Sequence, residues 1–133
     1  MTPVVENIKF ILVDDDPTVN FLHTAIIKSI SLNIEVEAFE DPQKALDSLK
    51  LDKSSYRTIL LDVNMPVING WQFLDLLEEK NLGIPVIMLT SSIIESDRQK
   101  AREASHVSDF QIKPFSKNKF NLVFKKIIKD ING

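Results

Sequence analysis

Three apolar runs limit what this chain can fold into: Ile8–Val13, Thr58–Leu61 within a strand over 58–63, and Val86–Leu89. Each has strand length and none shows the alternation of a strand with one wet face, so burial on both faces is expected. Two other segments do alternate. In Ile34–Phe39, Ile34, Val36 and Ala38 face one way and Glu35 and Glu37 the other. In Ser108–Ile112, Phe110 and Ile112 oppose Asp109 and Gln111. Both read as half-exposed strands. A helical pattern follows each strand. The inward residues are expected to be Val19, Leu22, Ile26 and Ile30 in the first helix and Ala45, Leu46 and Leu49 in the second. Phe73, Leu74 and Leu77 mark the third, and Ala101 and Ala104 a weak fourth over Ser96–Ala104. Phe120, Val123, Phe124, Ile127 and Ile131 mark the last, opposite Lys117, Asn121, Lys125 and Lys129. Asp16-Pro17 and Asp41-Pro42 each read as an N-cap followed by proline in the first turn. Lys50–Arg57 reads as a polar loop, Asn69-Gly70 as a turn, and Gly83 and Pro85 as punctuation.

Five strands alternating with five helices predict an α/β chain: a doubly wound parallel sheet with helices on both faces. Alternating strands belong at edges and continuous ones inside. That predicts the flavodoxin-like order 2-1-3-4-5, whose switch point lies between the first and third strands. With 133 residues, no internal repeat and no linker, one domain over 1–133 without an output domain is expected.

The strand ends concentrate the chemistry. The first strand runs into Asp14 and Asp15, the third into Asp62, the fourth into Thr90 and the fifth into Lys113. In a parallel sheet all of these lie along one edge, where open α/β sheets bind their ligands. Three carboxylates held together repel, so such a site takes up protons or binds a cation. The chain has no Cys, and neither histidine is near in sequence, so the ligands are hard oxygens. They select Mg²⁺, with Mn²⁺ possible, over zinc or copper. A carboxylate can also be a nucleophile and form an aspartyl phosphate. Phosphoryl transfer then needs positive charge on the equatorial oxygens, which a metal and Lys113 supply, and a neutral donor, which the Thr90 hydroxyl supplies.

Together the segments Ile11-Leu12-Val13-Asp14-Asp15-Asp16, Leu60-Leu61-Asp62-Val63-Asn64-Met65-Pro66, Met88-Leu89-Thr90-Ser91 and Ile112-Lys113-Pro114-Phe115 make the chain resemble the receiver domain of two-component response regulators, over essentially its whole length. The resemblance implies that Asp62 accepts a phosphoryl group from a phosphohistidine on a histidine kinase or histidine phosphotransfer protein. It implies that Asp15 and Asp62 bind Mg²⁺ through side chains and Asn64 through its carbonyl, while Asp14 orients a metal-bound water. Lys113 and Thr90 contact the phosphoryl group, Phe110 stands at the aromatic switch position, and a downstream protein target reads the switched surface. In this reading the chain assists its own phosphorylation and dephosphorylation but is no enzyme. His106 stands where the family commonly has Gly, and Ile68 where Met is frequent. Ser92 and Asn64 occupy positions that influence dephosphorylation in the family.

The main rival is an enzyme. Asp14-x-Asp16-x-Thr18 after an apolar strand matches the nucleophile motif of haloacid-dehalogenase-type phosphatases, with Asp14 as nucleophile. Those enzymes need a further acidic pair after the Lys, and only Asp130 follows Lys113. The glycines Gly70, Gly83 and Gly133 make no phosphate loop for a dinucleotide. A net charge of −3 without a basic block predicts no nucleic-acid binding. Apolar runs too short for a span, and an N-terminus unlike a signal peptide, predict a cytoplasmic chain away from membranes. His23 is expected to be an ordinary helix residue, and neither it nor His106 a phosphodonor. Phe21 is expected to point away from the core beside the site, where a docking partner would meet it.

Overall fold

The computed structural model describes residues 8–51, 56–91, 95–104, 107–113 and 115–132. In chain order the elements are β1 (Ile8–Val13), α1 (Pro17–Ile30), β2 (Glu35–Phe39), α2 (Pro42–Leu51), β3 (Tyr56–Asp62), α3 (Gly70–Glu79), β4 (Val86–Thr90), α4 (Glu95–Glu103), β5 (Val107–Ile112) and α5 (Lys117–Asn132). The five strands form one parallel sheet in the order β2-β1-β3-β4-β5, so the two alternating strands are the edges, as the pattern requires.

Period-two alternation sends neighbouring residues of the inner strands into two separate cores. Ile11, Val13, Ile59, Leu61, Val86 and Met88 pack with Ala45, Leu46 and Leu49 of α2 and Phe73, Leu74 and Leu77 of α3. Ile8, Phe10, Leu12, Leu60, Ile87 and Leu89 pack with Ile27 of α1 and Phe120 of α5. Both faces are thus covered, which is why the inner runs are continuous. Lys9 is buried within β1 and bridges to Glu35 at 3.5 Å and Glu37 at 2.9 Å, so the acidic side of β2 is paired across the ladder.

Both Asp-Pro starts form as expected. The Asp16 side chain accepts the Thr18 N–H and the Asp41 side chain accepts the Gln43 N–H, each at 2.9 Å. Other expectations need correction. Helix α2 runs on through Lys50 and Leu51, and β3 begins at Tyr56, because Tyr56 and Arg57 pair with Ile8 and Lys9 in the ladder. Only 52–55 of the expected loop stands outside the described residues. Asn69-Gly70 is no turn. Asn69 caps α3 in a capping box with Gln72, and Gly70 is the first helical residue. A Cβ on Gly70 would meet the Asp62 carbonyl oxygen and the Val63 Cα at 2.8 Å, so close approach, not backbone freedom, requires glycine there.

The inward face of α1 is the largest departure. The helix buries Asn20, His23 and Ile27; of the residues expected inward, Ile26 and Ile30 are half-buried and pack against the core that holds Ile27, Val19 is half-buried and Leu22 is 42% exposed. The side that meets the sheet is set by what the strand-end loops need as partners. In β2, Ala38 is exposed rather than inward, lying in a shallow groove with Pro17, Asn20, Phe21 and Thr24. In β5, Phe110 is half-buried but Ile112 is exposed at the strand end. The burial expected for Ala101 and Ile131 concerns side chains outside those described, and His106, which stands where the family commonly has Gly, is itself outside them.

Candidate functional site

The end of β1 carries Asp14, which is buried, and Asp15, which is exposed; the end of β3 carries Asp62, also buried. One carboxylate oxygen from each lies within 4.8 Å of the others. Lys113 follows β5, and its Nζ stands 2.9 Å from Asp14 Oδ2 and 3.1 Å from Asp62 Oδ1. The other Asp14 oxygen, Oδ1, accepts the Asp16 N–H at 2.9 Å. Asp62 Oδ1 also accepts the Asn64 N–H at 3.3 Å.

Neighbouring strands complete the edge. Thr90 is wholly buried, and its carbonyl accepts the Lys113 N–H at 2.8 Å, which ties the lysine loop to the end of β4. Asn64 is exposed, and its side-chain amide donates to the Thr90 hydroxyl at 3.4 Å. Phe110 packs against Trp71, ring centroids 6.2 Å apart. Lys100 Nζ lies 5.5 Å from the centroid of the same Trp71 ring. Ser92 and His106 are outside the described residues.

Asp62 is pushed up from the usual carboxylate value to about 6, first by burial and then by the charge on Asp14, while Lys113 and the Asn64 N–H pull it back. Burial alone would lower the Lys113 pKa, but its bonds to Asp14 and Asp62 outweigh that and hold it above the usual lysine value. Three ionised carboxylates and one ammonium leave two formal negative charges in a small volume. That balance suits a divalent cation, and an all-oxygen donor set with an exposed Asp15 suits Mg²⁺ or Mn²⁺.

Asp14, Asp15, Asp62, Thr90 and Lys113, expected on one edge from the strand ends, are gathered there, as is Asn64, which the resemblance alone implied. The sequence pattern did not reveal Asn20 and His23, whose side chains bond the Asp14 carbonyl and the Phe115 N–H. Their i, i+3 spacing, continued by Ile27 at i+7, marks a helix face, but their polarity hid it beside the apolar stripe.

Residues 10–125 match the family model described as "Response regulator receiver domain". The chain is 30% identical over 112 residues to the "Probable methanogenesis regulatory protein FilR2" of Methanothrix harundinacea, covering 80% of this chain and 72% of that protein. It is 32% identical to the "Transcriptional regulatory protein CpxR homolog" of Haemophilus influenzae, over 91% of this chain and 50% of the relative. It likewise spans only about a quarter to a half of three other curated relatives. A two-component response regulator from Cytophaga hutchinsonii superposes with a TM-score of 0.82 at 30% identity, covering 92% of this chain and 97% of that one. The Vibrio cholerae chemotaxis protein CheY4 shares the fold, with a TM-score of 0.76 at 22% identity over 90% of this chain and 97% of its own. No described helix is long and apolar enough to cross a membrane.

Proposed function

This chain belongs to the response regulator receiver family of two-component signalling, and from that premise we propose that Asp62 accepts a phosphoryl group from the phosphohistidine of a partner kinase or phosphotransfer protein. The observation that carries this reading is the bridge from Lys113 Nζ to Asp14 at 2.9 Å and Asp62 at 3.1 Å at the switch point of the sheet. An Asp62 oxygen attacks phosphorus, the P–N bond breaks with its electron pair staying on that nitrogen, and the phosphohistidine ring, protonated on its other nitrogen, departs as neutral imidazole. Lys113 steadies the negative charge on the transferring oxygens. The Thr90 hydroxyl and the Asn64 amide, 3.4 Å apart, are neutral donors at the same strand-end edge.

Asp15 and Asp62 would hold Mg²⁺ with their side chains and Asn64 with its carbonyl, and Asp14 would orient a water on it. When bound, the metal neutralises charge on the acceptor and on the phosphoryl oxygens. Asp14 is the weaker nucleophile candidate, because Oδ1 accepts the Asp16 N–H and Oδ2 the Lys113 ammonium. That supports a phosphoacceptor module over the phosphatase reading. In this proposal the module carries its signal to a protein target, with Thr90 and Phe110 as the switch pair.

The test is labelling by acetyl phosphate in Mg²⁺. One phosphoryl group is expected on the wild-type chain and none on Asp62→Asn, which is nearly isosteric. Label that survives Asp62→Asn but not Asp14→Asn would overturn the assignment in favour of the phosphatase.

A further inference from the structure

Where α1 approaches the acidic cluster, its inward face is polar. Asn20 and His23 are 5% and 2% exposed, on the helix face that also buries Ile27. Burying an amide and an imidazole is unfavourable unless they find partners. The Asn20 amide nitrogen and the imidazole find them in the backbone at the strand ends, while Asn20 Oδ1 has no hydrogen-bond partner among the described residues. Asn20 Nδ2 donates to the Asp14 carbonyl at 3.0 Å and to the Phe39 carbonyl at 3.2 Å, joining the ends of β1 and β2. His23 Nε2 accepts the Phe115 N–H at 3.2 Å, two residues beyond Lys113. The imidazole lies edge-on to Phe120 with centroids 6.0 Å apart, and Phe115 packs on the same ring at 4.6 Å. Burial lowers the His23 pKa, against the opposing charge of Asp14. A neutral ring is the form that can accept. Leucine at either position would fill the space and hold neither loop.

We propose that Asn20 and His23 are positioning residues of the phosphoacceptor site: from one face of α1, Asn20 sets the backbone of Asp14 and His23 sets the loop carrying Lys113. The inference rests on the reading of Asp62 as acceptor. Its content is a division of labour. Asn20 acts through an acidic residue at the metal position, so it governs Mg²⁺ affinity. His23 acts through Lys113, which binds no metal, so it governs the transfer rate.

The experiment measures Mg²⁺ affinity by calorimetry and the acetyl phosphate labelling rate at saturating Mg²⁺ for the full chain and its variants. His23→Leu is expected to slow labelling about tenfold or more, since small misplacements are costly in transfer reactions, with a far smaller change in Mg²⁺ affinity. His23→Gln, whose amide oxygen can stand in for Nε2, should recover most of the rate. Asn20→Leu should weaken Mg²⁺ binding several-fold. A purely structural role would lower the melting temperature without this split. The proposal is overturned if His23→Leu labels at the wild-type rate, if Gln is as slow as Leu, or if both variants lose both readouts equally. Should His23→Leu not fold, the ¹⁵N spectrum of wild-type His23 decides: a proton on Nε2 at neutral pH rules out the bond to Phe115. A wild-type chain that takes no label takes down the acceptor reading as well, an outcome distinct from normal label with indifferent variants.

Discussion

Lys113 holds Asp62 from the far end of the sheet order: its Nζ lies 3.1 Å from Asp62 Oδ1, although β4 separates the strands from which the two residues emerge. The span is possible because both strand ends are fixed from β4, through Val63 N–H to Leu89 and Lys113 N–H to Thr90. Lys113→Met should therefore leave the ladder intact and remove the charge alone. Labelling by acetyl phosphate is expected to fall at least about tenfold. The Asp62 pKa should climb beyond its present value of about 6, because burial and Asp14 then act unopposed by the ammonium. A carboxyl ¹³C titration reads it; an unmoved Asp62 would show that the ion pair is not what restrains its pKa.

Asp62 also makes metal-free stability depend on pH. Its folded pKa of about 6 is raised above the ordinary 3.8, so the folded state holds this proton more tightly than the unfolded chain. The contribution to stability is fully present below about pH 4 and is lost as pH rises through about 6. Metal and proton compete for the same oxygen. The gain in melting temperature on adding MgCl₂ should thus be large at about pH 7.5 and small at about pH 5. Melting curves with and without Mg²⁺, beside Asp62→Asn as the variant lacking this titration, check both statements. Equal Mg²⁺ gains at the two pH values would refute them.

Gly70→Ala places a methyl group against main-chain atoms that carry the acceptor, the Asp62 oxygen and Val63 Cα, both at 2.8 Å. Backbone cannot rotate away as a side-chain tip can. A loss of about 1–3 kcal/mol is expected, seen as a lower urea midpoint, together with slower labelling because β3 must shift. Unchanged stability would mean that α3 can retreat at no cost.

Phe21 is 77% exposed on α1, near the site edge, where it lines the groove with Pro17 and Ala38. Phe21→Ala should slow phosphotransfer from a cognate phosphohistidine protein several-fold and leave acetyl phosphate labelling unchanged, since a small donor needs no docking face. Equal slowing with both donors would point to damage at the site, and no slowing with either to docking elsewhere.

The sequence by itself determined the sheet and the chemistry on its edge. Period-two and continuous apolar patterns are local consequences of which strand faces are buried, so edge and interior strands could be told apart, and the order 2-1-3-4-5 then brought Asp14, Asp15, Asp62, Thr90 and Lys113 together. Only the tertiary structure decided how α1 is turned. Apolar spacing favoured Val19, Leu22, Ile26 and Ile30, yet the helix also buries Asn20 and His23, because the backbone partners at Phe39 and Phe115 lie 19 and 92 residues away in the chain. The reason for Gly70 is likewise long-range, since the contact that excludes a Cβ is with the end of β3. A helix face can be read from sequence when apolar burial alone selects it. It cannot when hydrogen-bond partners supplied by other loops compete for the same face.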